Sequence, residues 1–169
     1  MITENKLIYV LNGPNLNLLG LREPEIYGYE TFDEIKSMMK EHADKLGFAI
    51  DVRQTNHEGV LVDWLQEAYE KSARAVILNA AAYTHTSIAL HDAIKAIPTP
   101  VIEVHLSDPI KREGFRHLSY VGMAAVKCIK GQGANGYLMA LDAVAKDKIW
   151  LLEILKKIFG TLASFNSPA

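Results

Sequence analysis

Short apolar runs alternate with amphipathic stretches along nearly the whole chain. Each apolar run is four to six residues long, which is the length of a buried strand. Between the runs, apolar residues recur at every third or fourth position, a spacing typical of helices that pack on a sheet. The apolar runs predict five strands, at residues 7–11, 48–53, 75–78, 101–105 and 124–129.

The amphipathic stretches predict the helices. One helix begins near Thr31, because Thr31 and Glu34 form the pattern of a capping box, and Gly47 supplies its end. The other helices are expected at residues 61–69, 90–97 and 137–159, with one or two helical turns within 107–119 and a frayed tail at 164–169.

Alternation of strand and helix predicts an α/β protein with a parallel sheet that carries helices on both faces. Right-handed crossovers leave few topologies, and we expect the flavodoxin-like, doubly wound order 2-1-3-4-5. Residues 1–169 are expected to form a single domain, because no repeat or change in composition marks a boundary. In the expected order the winding reverses between strands 1 and 3, and ligands bind at the carboxyl ends of strands beside such a point.

Three polar loops leave the carboxyl ends of strands 1, 3 and 4, and they begin at residues 12–15, 79–85 and 105–107. The first loop extends to residue 28, whereas such connections usually have about two to six residues. Ordering a long loop costs conformational entropy, so a polar one is more often functional than idle. Since the three loops meet at one edge of the sheet, the sequence predicts a binding site there.

Composition and charge narrow the function further. The 169 residues are 49% hydrophobic and 22% charged, as in ordinary soluble globular proteins. A net charge of -2 gives no basis for binding nucleic acid or an anionic membrane. No segment has the layout of a signal peptide or the length of a membrane span. The single Cys128 excludes an internal disulfide and fits a reducing compartment, so we expect a cytoplasmic protein.

The segment at residues 131–136 reads G-x-G-x-x-G, the spacing of a dinucleotide-binding loop. That site also needs an acidic residue at the end of a following strand, whereas a helix follows here. We therefore expect a tight strand-to-helix turn and no nicotinamide or flavin. The six histidines show no metal-ligand spacing, so no metal is expected either. Two of them, His85 and His105, leave strand ends at the predicted ligand edge.

Six motifs, in the same order and spacing, resemble those of type II 3-dehydroquinate dehydratase. They are N-G-P-N-L-N-L-L-G, R-E-P-x-x-Y-G, Q-T-N-H-E-G, Y-T-H-T-S, V-I-E-V-H-L-S and R-x-x-F-R-H-x-S-Y, and the resemblance extends over residues 7–145. The chain departs from the family at Ala80 and Ala81, where a Pro-Gly pair is common, and at Gly114, where an acidic residue is common. Neither departure removes a group that the family uses in chemistry, although the alanine pair bears on the backbone that presents Asn79.

The resemblance implies the trans-elimination of water from 3-dehydroquinate to 3-dehydroshikimate through an enolate-like intermediate, without a cofactor. Such a reaction serves the shikimate pathway or quinate breakdown. By resemblance Tyr27 is the base, His105 is the acid, and Asn15 holds the water that stabilises the enolate. A phenol titrates near 10, so a nearby cation must favour the phenolate. The resemblance places Arg22 in that role, five residues earlier on the same loop.

The resemblance also implies the residues that bind the substrate, which are Asn79, His85, Asp92, Leu106, Ser107 and Arg116. Backbone N–H groups of Leu106 and Ser107 follow strand 4 and suit a carboxylate. Two readings of Glu103 stay open, since it either orients His105 or Arg112 or forms a structural ion pair. Asp92 is implied to reach the site of a neighbouring subunit, in trimers that pack into dodecamers.

Two other functions remain open on the sequence. A non-catalytic flavodoxin-like module that binds a small carboxylate or nucleotide explains the polar edge, but not a Tyr-Arg pair and a histidine on facing loops. The second is an enzyme of the same fold that acts on a related hydroxy acid.

Overall fold

The computed structural model describes residues 6–21 and 24–146, with the backbone alone at Pro24 and Tyr27. Its five strands are parallel and form one sheet in the order β2-β1-β3-β4-β5. The strands are β1 (Leu7–Asn12), β2 (Ala49–Gln54), β3 (Ala75–Asn79), β4 (Val101–His105) and β5 (Lys127–Lys130). The flavodoxin-like α/β topology expected from the sequence is thereby confirmed.

Within the described ranges, six helices connect or flank these strands, and the cap expected at Thr31 is present. The Thr31 hydroxyl accepts from the backbone N–H of Glu34, and the Glu34 carboxylate accepts from the backbone N–H of Thr31. The helices are α1 (Pro24–Tyr27), α2 (Phe32–Leu46), α3 (Glu58–Glu70), α4 (Ile88–Ala96), α5 (Tyr120–Ala124) and α6 (Asn135–Lys146). The predicted extension of the last helix to residue 159 and the tail at 164–169 lie outside the described residues.

The last strand is shorter than the sequence predicted. Residues 120–124 form α5 instead of opening a strand at Ala124, because the Ser119 hydroxyl accepts from the Gly122 N–H and caps a helical turn. Strand β5 then starts at Lys127. The first loop is also more regular than expected, since Leu16–Leu18 forms a 3-10 turn and α1 follows it. The turns expected within 107–119 are present, at Pro109–Lys111 and Gly114–Arg116.

The alternation of side chains along β1 shows how the two faces of the sheet are covered. Ile8 and Val10 pack in the core beneath α2 and α6, whereas Tyr9 and Leu11 pack in the core beneath α3 and α4. Strands β1, β3 and β4 are buried on both faces, as central parallel strands require. No helix in the described part of the chain has the length and apolar character that crossing a bilayer requires.

Arg53 ties the edge strand β2 to helix α3. Its guanidinium forms paired contacts with Glu67, at 2.7 and 2.8 Å, and with Asp51, at 2.7 and 3.1 Å. The Tyr9 hydroxyl also donates to Glu67 at 2.9 Å. Hydrogen bonds from Arg53, then from Tyr9, lower the pKa of Glu67 to about 2. This ion pair holds the end of β2, and with it Gln54, beside the loop that leaves β1.

Candidate active site

A cleft of about 610 Å³, open to solvent, lies at the carboxyl edge of the sheet. The three loops that the sequence analysis singled out all contribute to its wall. The lining residues are Pro14, Asn15, Leu16, Asn79, Ala81, Ala82, His85, His105, Leu106, Ser107, Pro109, Arg112 and Arg116. Seven of the residues implied by the resemblance are therefore brought together in one place.

His105 and Glu103 form a buried pair at the floor of the cleft. Their Nε2 and Oε1 atoms are 2.9 Å apart, and the Ser119 hydroxyl donates to the same oxygen at 2.6 Å. Burial alone would raise the pKa of Glu103, but the hydrogen bond and charge of His105, with the bond from Ser119, outweigh it and lower that pKa. Glu103 is thus a carboxylate that accepts the Nε2 proton of His105. The other ring nitrogen of His105, Nδ1, takes no part in this hydrogen bond. The structure favours the reading in which Glu103 orients His105.

The second histidine of the cleft, His85, contacts a backbone carbonyl rather than a carboxylate. The His85 ring stacks on that of His105, with centroids 6.3 Å apart and planes 13° from parallel. Its Nδ1 is 2.7 Å from the carbonyl oxygen of Leu118, which can only accept, so Nδ1 carries the proton. Burial lowers the pKa of His85, and neighbouring positive charge adds to this shift. His85 is therefore neutral at pH 7, and its Nε2 is a hydrogen-bond acceptor.

Hydrogen bonds to residues at the end of β2 hold Asn15 in position. Its φ of 65° lies in the left-handed region, which asparagine tolerates better than most residues. The Asn15 N–H donates to Asn56 Oδ1 at 3.0 Å, and the Gln54 amide donates to Gly13 O and to Asn56 Oδ1, both at 3.1 Å. The Tyr83 hydroxyl holds the Asn56 carbonyl oxygen at 2.8 Å. The Q-T-N-H-E-G motif thus positions the first loop, a role that the sequence analysis did not assign.

The alanine pair that departs from the family pattern keeps a left-handed turn after Asn79. Ala81 has a φ of 51°, where an L-residue costs roughly 1–2 kcal/mol and glycine costs little. The Gly13 N–H donates to Asn79 O at 2.8 Å, so the loops after β1 and β3 are joined. A Cβ at Gly13 would lie 2.4 Å from the Ala80 carbonyl oxygen, which leaves glycine as the residue that fits.

Two arginines form the wall beyond β4, and the sequence analysis named only Arg116 as a substrate-binding residue. Arg112 also lines the cleft, although it is the first residue of the motif R-x-x-F-R-H-x-S-Y and could have been found there. Their Nε atoms lie 3.5 Å (Arg112) and 2.8 Å (Arg116) from Glu113 Oε2. At Gly114, the other departure, an added Cβ would meet nothing within 4 Å. The two guanidinium groups make the cleft suitable for an anion.

Three of the implied residues are not seen in the cleft. Asp92 lies on the outer face of α4, its side chain is 71% exposed, and its carboxylate is 2.9 Å from His91 Nδ1. Arg22 lies outside the described residues, and Tyr27 is described only as the last residue of α1.

Known proteins with similar sequences identify the family of this chain. The model of the family described as dehydroquinase class II matches residues 6–145. A 3-dehydroquinate dehydratase of Hyphomonas neptunium is 58% identical over 142 residues, which cover 84% of this chain and 95% of the relative. A 3-dehydroquinate dehydratase of Rhizobium meliloti is 57% identical over 137 residues, covering 81% and 92%.

Solved structures give the same result. The type II dehydroquinase of Propionibacterium acnes has a TM-score of 0.81 and 42% identity, and the match covers 85% of this chain and 98% of that one. The type II dehydroquinase of Butyrivibrio crossotus also has a TM-score of 0.81, with 40% identity and coverage of 83% and 97%. These matches confirm the resemblance noted in the sequence, and the chain belongs to the class II dehydroquinase family.

Proposed function

We propose that this chain dehydrates 3-dehydroquinate to 3-dehydroshikimate through an enolate, in the cytoplasm. The observation that supports it best is the buried His105–Glu103 pair, set in a cleft whose wall also carries two arginines. The pair supplies an acid and the arginines suit an anionic substrate. A module that only binds a carboxylate has no need of a carboxylate-oriented histidine.

The proposed elimination needs a base, a site for enolate charge and an acid. The Tyr27 phenolate, favoured by Arg22, takes a proton from the carbon next to the ketone. The C–H electron pair forms the C=C bond of the enolate, and the π pair of the C=O bond moves to the ketone oxygen. Asn15 holds the water that donates to this enolate oxygen. When the enolate collapses, the C–O bond breaks and His105 protonates the departing hydroxyl, so that water leaves. Glu103 stabilises the imidazolium form of His105 that this step requires.

The segment at residues 105–107, at the carboxyl end of β4, is the proposed site of the substrate carboxylate. The carbonyl oxygens of its three residues accept from glycine N–H groups of the loop after β5. Gly131 donates to the carbonyls of His105 and Ser107 at 3.2 and 3.1 Å, and Gly133 donates to that of Leu106 at 2.9 Å. The segment is thereby held with a defined backbone, and we assign the N–H groups of Leu106 and Ser107 to the carboxylate. Asn79, His85 and Arg116 are assigned to the ring oxygens.

The direct test is an assay of the purified chain with 3-dehydroquinate, in which enone absorbance follows the product. Absorbance should rise without added metal or nucleotide. Quinate, which lacks the ketone and so cannot form an enolate, should give no signal and serves as the control. No enone from 3-dehydroquinate in folded protein would remove the proposed reaction.

We expect no covalent intermediate. A different route to the same product passes through a lysine Schiff base, which borohydride reduces to a stable adduct. No lysine lies on the three loops of the cleft, and Lys111, the lysine next along the chain, is exposed in the turn Pro109–Lys111. Mass spectrometry after borohydride and substrate should therefore show the unmodified chain, and chelators should leave the rate unchanged. A substrate-sized mass increase would contradict the enolate scheme.

We also propose that Asp92 completes the site of a neighbouring subunit, in trimers that assemble into dodecamers. Asp92 lies on the outer face of α4, away from its own cleft. Large apolar side chains are exposed near it, with Ile88 at 58% on α4 and Met123 at 62% on the adjacent α5. Exposed apolar groups of this kind are typical of subunit contacts, and closed symmetry would repeat one contact around a ring.

Mixing two inactive variants should restore activity if the site is shared. Asp92→Ala removes the contribution to the neighbour, whereas Tyr27→Phe removes the base within the chain. Reassembling the two variants together should produce some sites with neither lesion, and turnover should exceed that of either variant alone. Each variant reassembled with itself is the control. A fully active monomer in sedimentation would contradict the shared site.

A further inference from the structure

A buried tyrosine lies directly beneath the cleft. Tyr137 follows the G-x-G-x-x-G segment at the start of α6, and its side chain is 0% exposed. Its hydroxyl lies between two asparagines, at the carboxyl ends of β1 and β3. It donates to Asn12 Oδ1 and accepts from Asn79 Nδ2, the latter at 2.9 Å. The proposed mechanism does not use this tyrosine.

The direction of these hydrogen bonds is determined by Asn12. Its Nδ2 donates to two backbone carbonyls, Val10 O at 3.3 Å and Arg53 O at 3.0 Å. Carbonyls only accept, so Asn12 must turn its Oδ1 toward Tyr137. The hydroxyl therefore gives its one proton to Asn12 and has only a lone pair left for Asn79.

The orientation of the Asn79 amide follows from both of its ends. Its Nδ2 must face the lone pair of Tyr137, and its Oδ1 accepts from the Ala81 N–H at 3.3 Å. Rotating the amide by half a turn would place oxygen against the Tyr137 lone pair and an N–H against the N–H of Ala81. Burial raises the pKa of Tyr137, with a smaller opposing effect of Asn79, so the hydroxyl keeps its proton.

We propose that Tyr137 is a positioning residue, which orients the Asn79 amide so that its second N–H donates to a substrate oxygen. Asn79 lines the cleft and has one Nδ2 proton beyond the one given to Tyr137. The inference rests on the proposed role of Asn79 in binding substrate. It defines the partner of Asn79 as an acceptor oxygen, such as a ketone, a carboxylate or the lone pair of a hydroxyl.

The glycine segment then has a function other than dinucleotide binding. Gly131 and Gly133 adopt φ values of 72° and 54°, which bring the chain from β5 into α6 in a tight turn. A Cβ on Gly136 would lie 3.4 Å from Val104 Cγ1, so α6 starts close against the sheet. This close approach delivers Tyr137 to the ends of β1 and β3.

The test is a double-mutant cycle of Tyr137→Phe and Asn79→Ala, read as KM and kcat for 3-dehydroquinate and as Kd for 3-dehydroshikimate by calorimetry. Tyr137→Phe should raise KM and Kd by roughly 5- to 50-fold, the effect of one lost hydrogen bond in a buried site, with a smaller change in kcat. In the Asn79→Ala background the same substitution should change either constant less than twofold. Tyr9→Phe is the matched control, because it removes another buried hydroxyl, bound to Glu67 at 2.9 Å outside the cleft.

A purely structural tyrosine would give other results. If Tyr137→Phe raised KM and Kd equally with and without the Asn79 amide, or left KM unchanged, the inference would be overturned. The rate of the wild-type chain would still support the proposed reaction in either case. A wild-type chain that neither turns over substrate nor binds product would overturn both. If Tyr137→Phe does not fold, Asn79→Asp tests whether residue 79 donates a hydrogen bond to the substrate, because a carboxylate cannot donate. It should bind at least as weakly as Asn79→Ala, and wild-type affinity in Asn79→Asp would overturn the inference.

Discussion

Replacing Tyr27 with phenylalanine should lower kcat by roughly 10²–10⁴-fold, the usual contribution of a general base, with the fold intact. The phenol oxygen is the atom proposed to take the proton, and phenylalanine keeps the ring without it. Tyr27 is the last residue of α1 and Gly28 follows with a φ of 94°. Phenylalanine has nearly the same backbone preferences as tyrosine, so we expect this turn to be retained. Steady-state rates and the melting temperature of the same preparation separate lost chemistry from lost folding.

Tyr29→Phe is the control for this experiment. Tyr29 lies two residues further along the chain, between α1 and α2, and is 78% exposed, so its substitution should leave the rate unchanged. Arg22→Ala should lower kcat as well, and it should move the onset of activity to higher pH because the phenolate loses its counter-charge. A rate near that of the wild type in folded Tyr27→Phe would remove the tyrosine from the mechanism.

Replacing His105 with glutamine should also lower kcat by roughly 10²–10⁴-fold, since glutamine cannot protonate the departing hydroxyl. Glu103→Gln should have a smaller effect, about 10- to 100-fold, which corresponds to the loss of a hydrogen bond to a charged group. Glu103 Oε1 lies 2.9 Å from His105 Nε2, whereas a glutamine amide carries no charge and can present its nitrogen instead of its oxygen, so it holds the ring less strongly in one orientation. Steady-state kcat and the melting temperature of the same preparation check this expectation.

His42→Gln provides the matched control for the histidine pair. His42 Nε2 is 2.8 Å from Asp142 Oδ1, in a contact between α2 and α6 outside the cleft. Its loss should leave kcat unchanged. An unchanged kcat in folded Glu103→Gln would mean that the carboxylate only packs against His105.

Some of the sequence-based expectations were wrong, and others stay predictions. The strand expected from Ala124 begins at Lys127, because a side chain cap at Ser119 turns the preceding residues into a helix. Local apolar content cannot separate a short buried helix from a strand, since both need the same residues. The roles of Tyr27 and Arg22 stay predictions.

The order of the strands, the cap of α2 and the three loops at one edge were predictable from the sequence. The cap and the strands depend on the periodicity of neighbouring residues. The order of the strands then follows from the right-handed crossovers that parallel sheets share. Gathering Asn15, Asn79, His85 and His105 into one cleft follows from that topology alone, because the carboxyl ends of parallel strands meet at one edge.

Contacts between distant residues were decided only by the tertiary structure. Asn56 binds Asn15 across 41 positions, and Tyr137 binds Asn79 and Asn12 across 58 and 125. In the sequence, Tyr137 is one more aromatic residue on an apolar helix face, and nothing local states where its hydroxyl will lie. The direction of each hydrogen bond depends on which donors and acceptors are already paired with other groups in the packed core. The sequence alone therefore determined which strand ends meet at the cleft, and the packing of α6 against the sheet decided how Asn79 is turned within it.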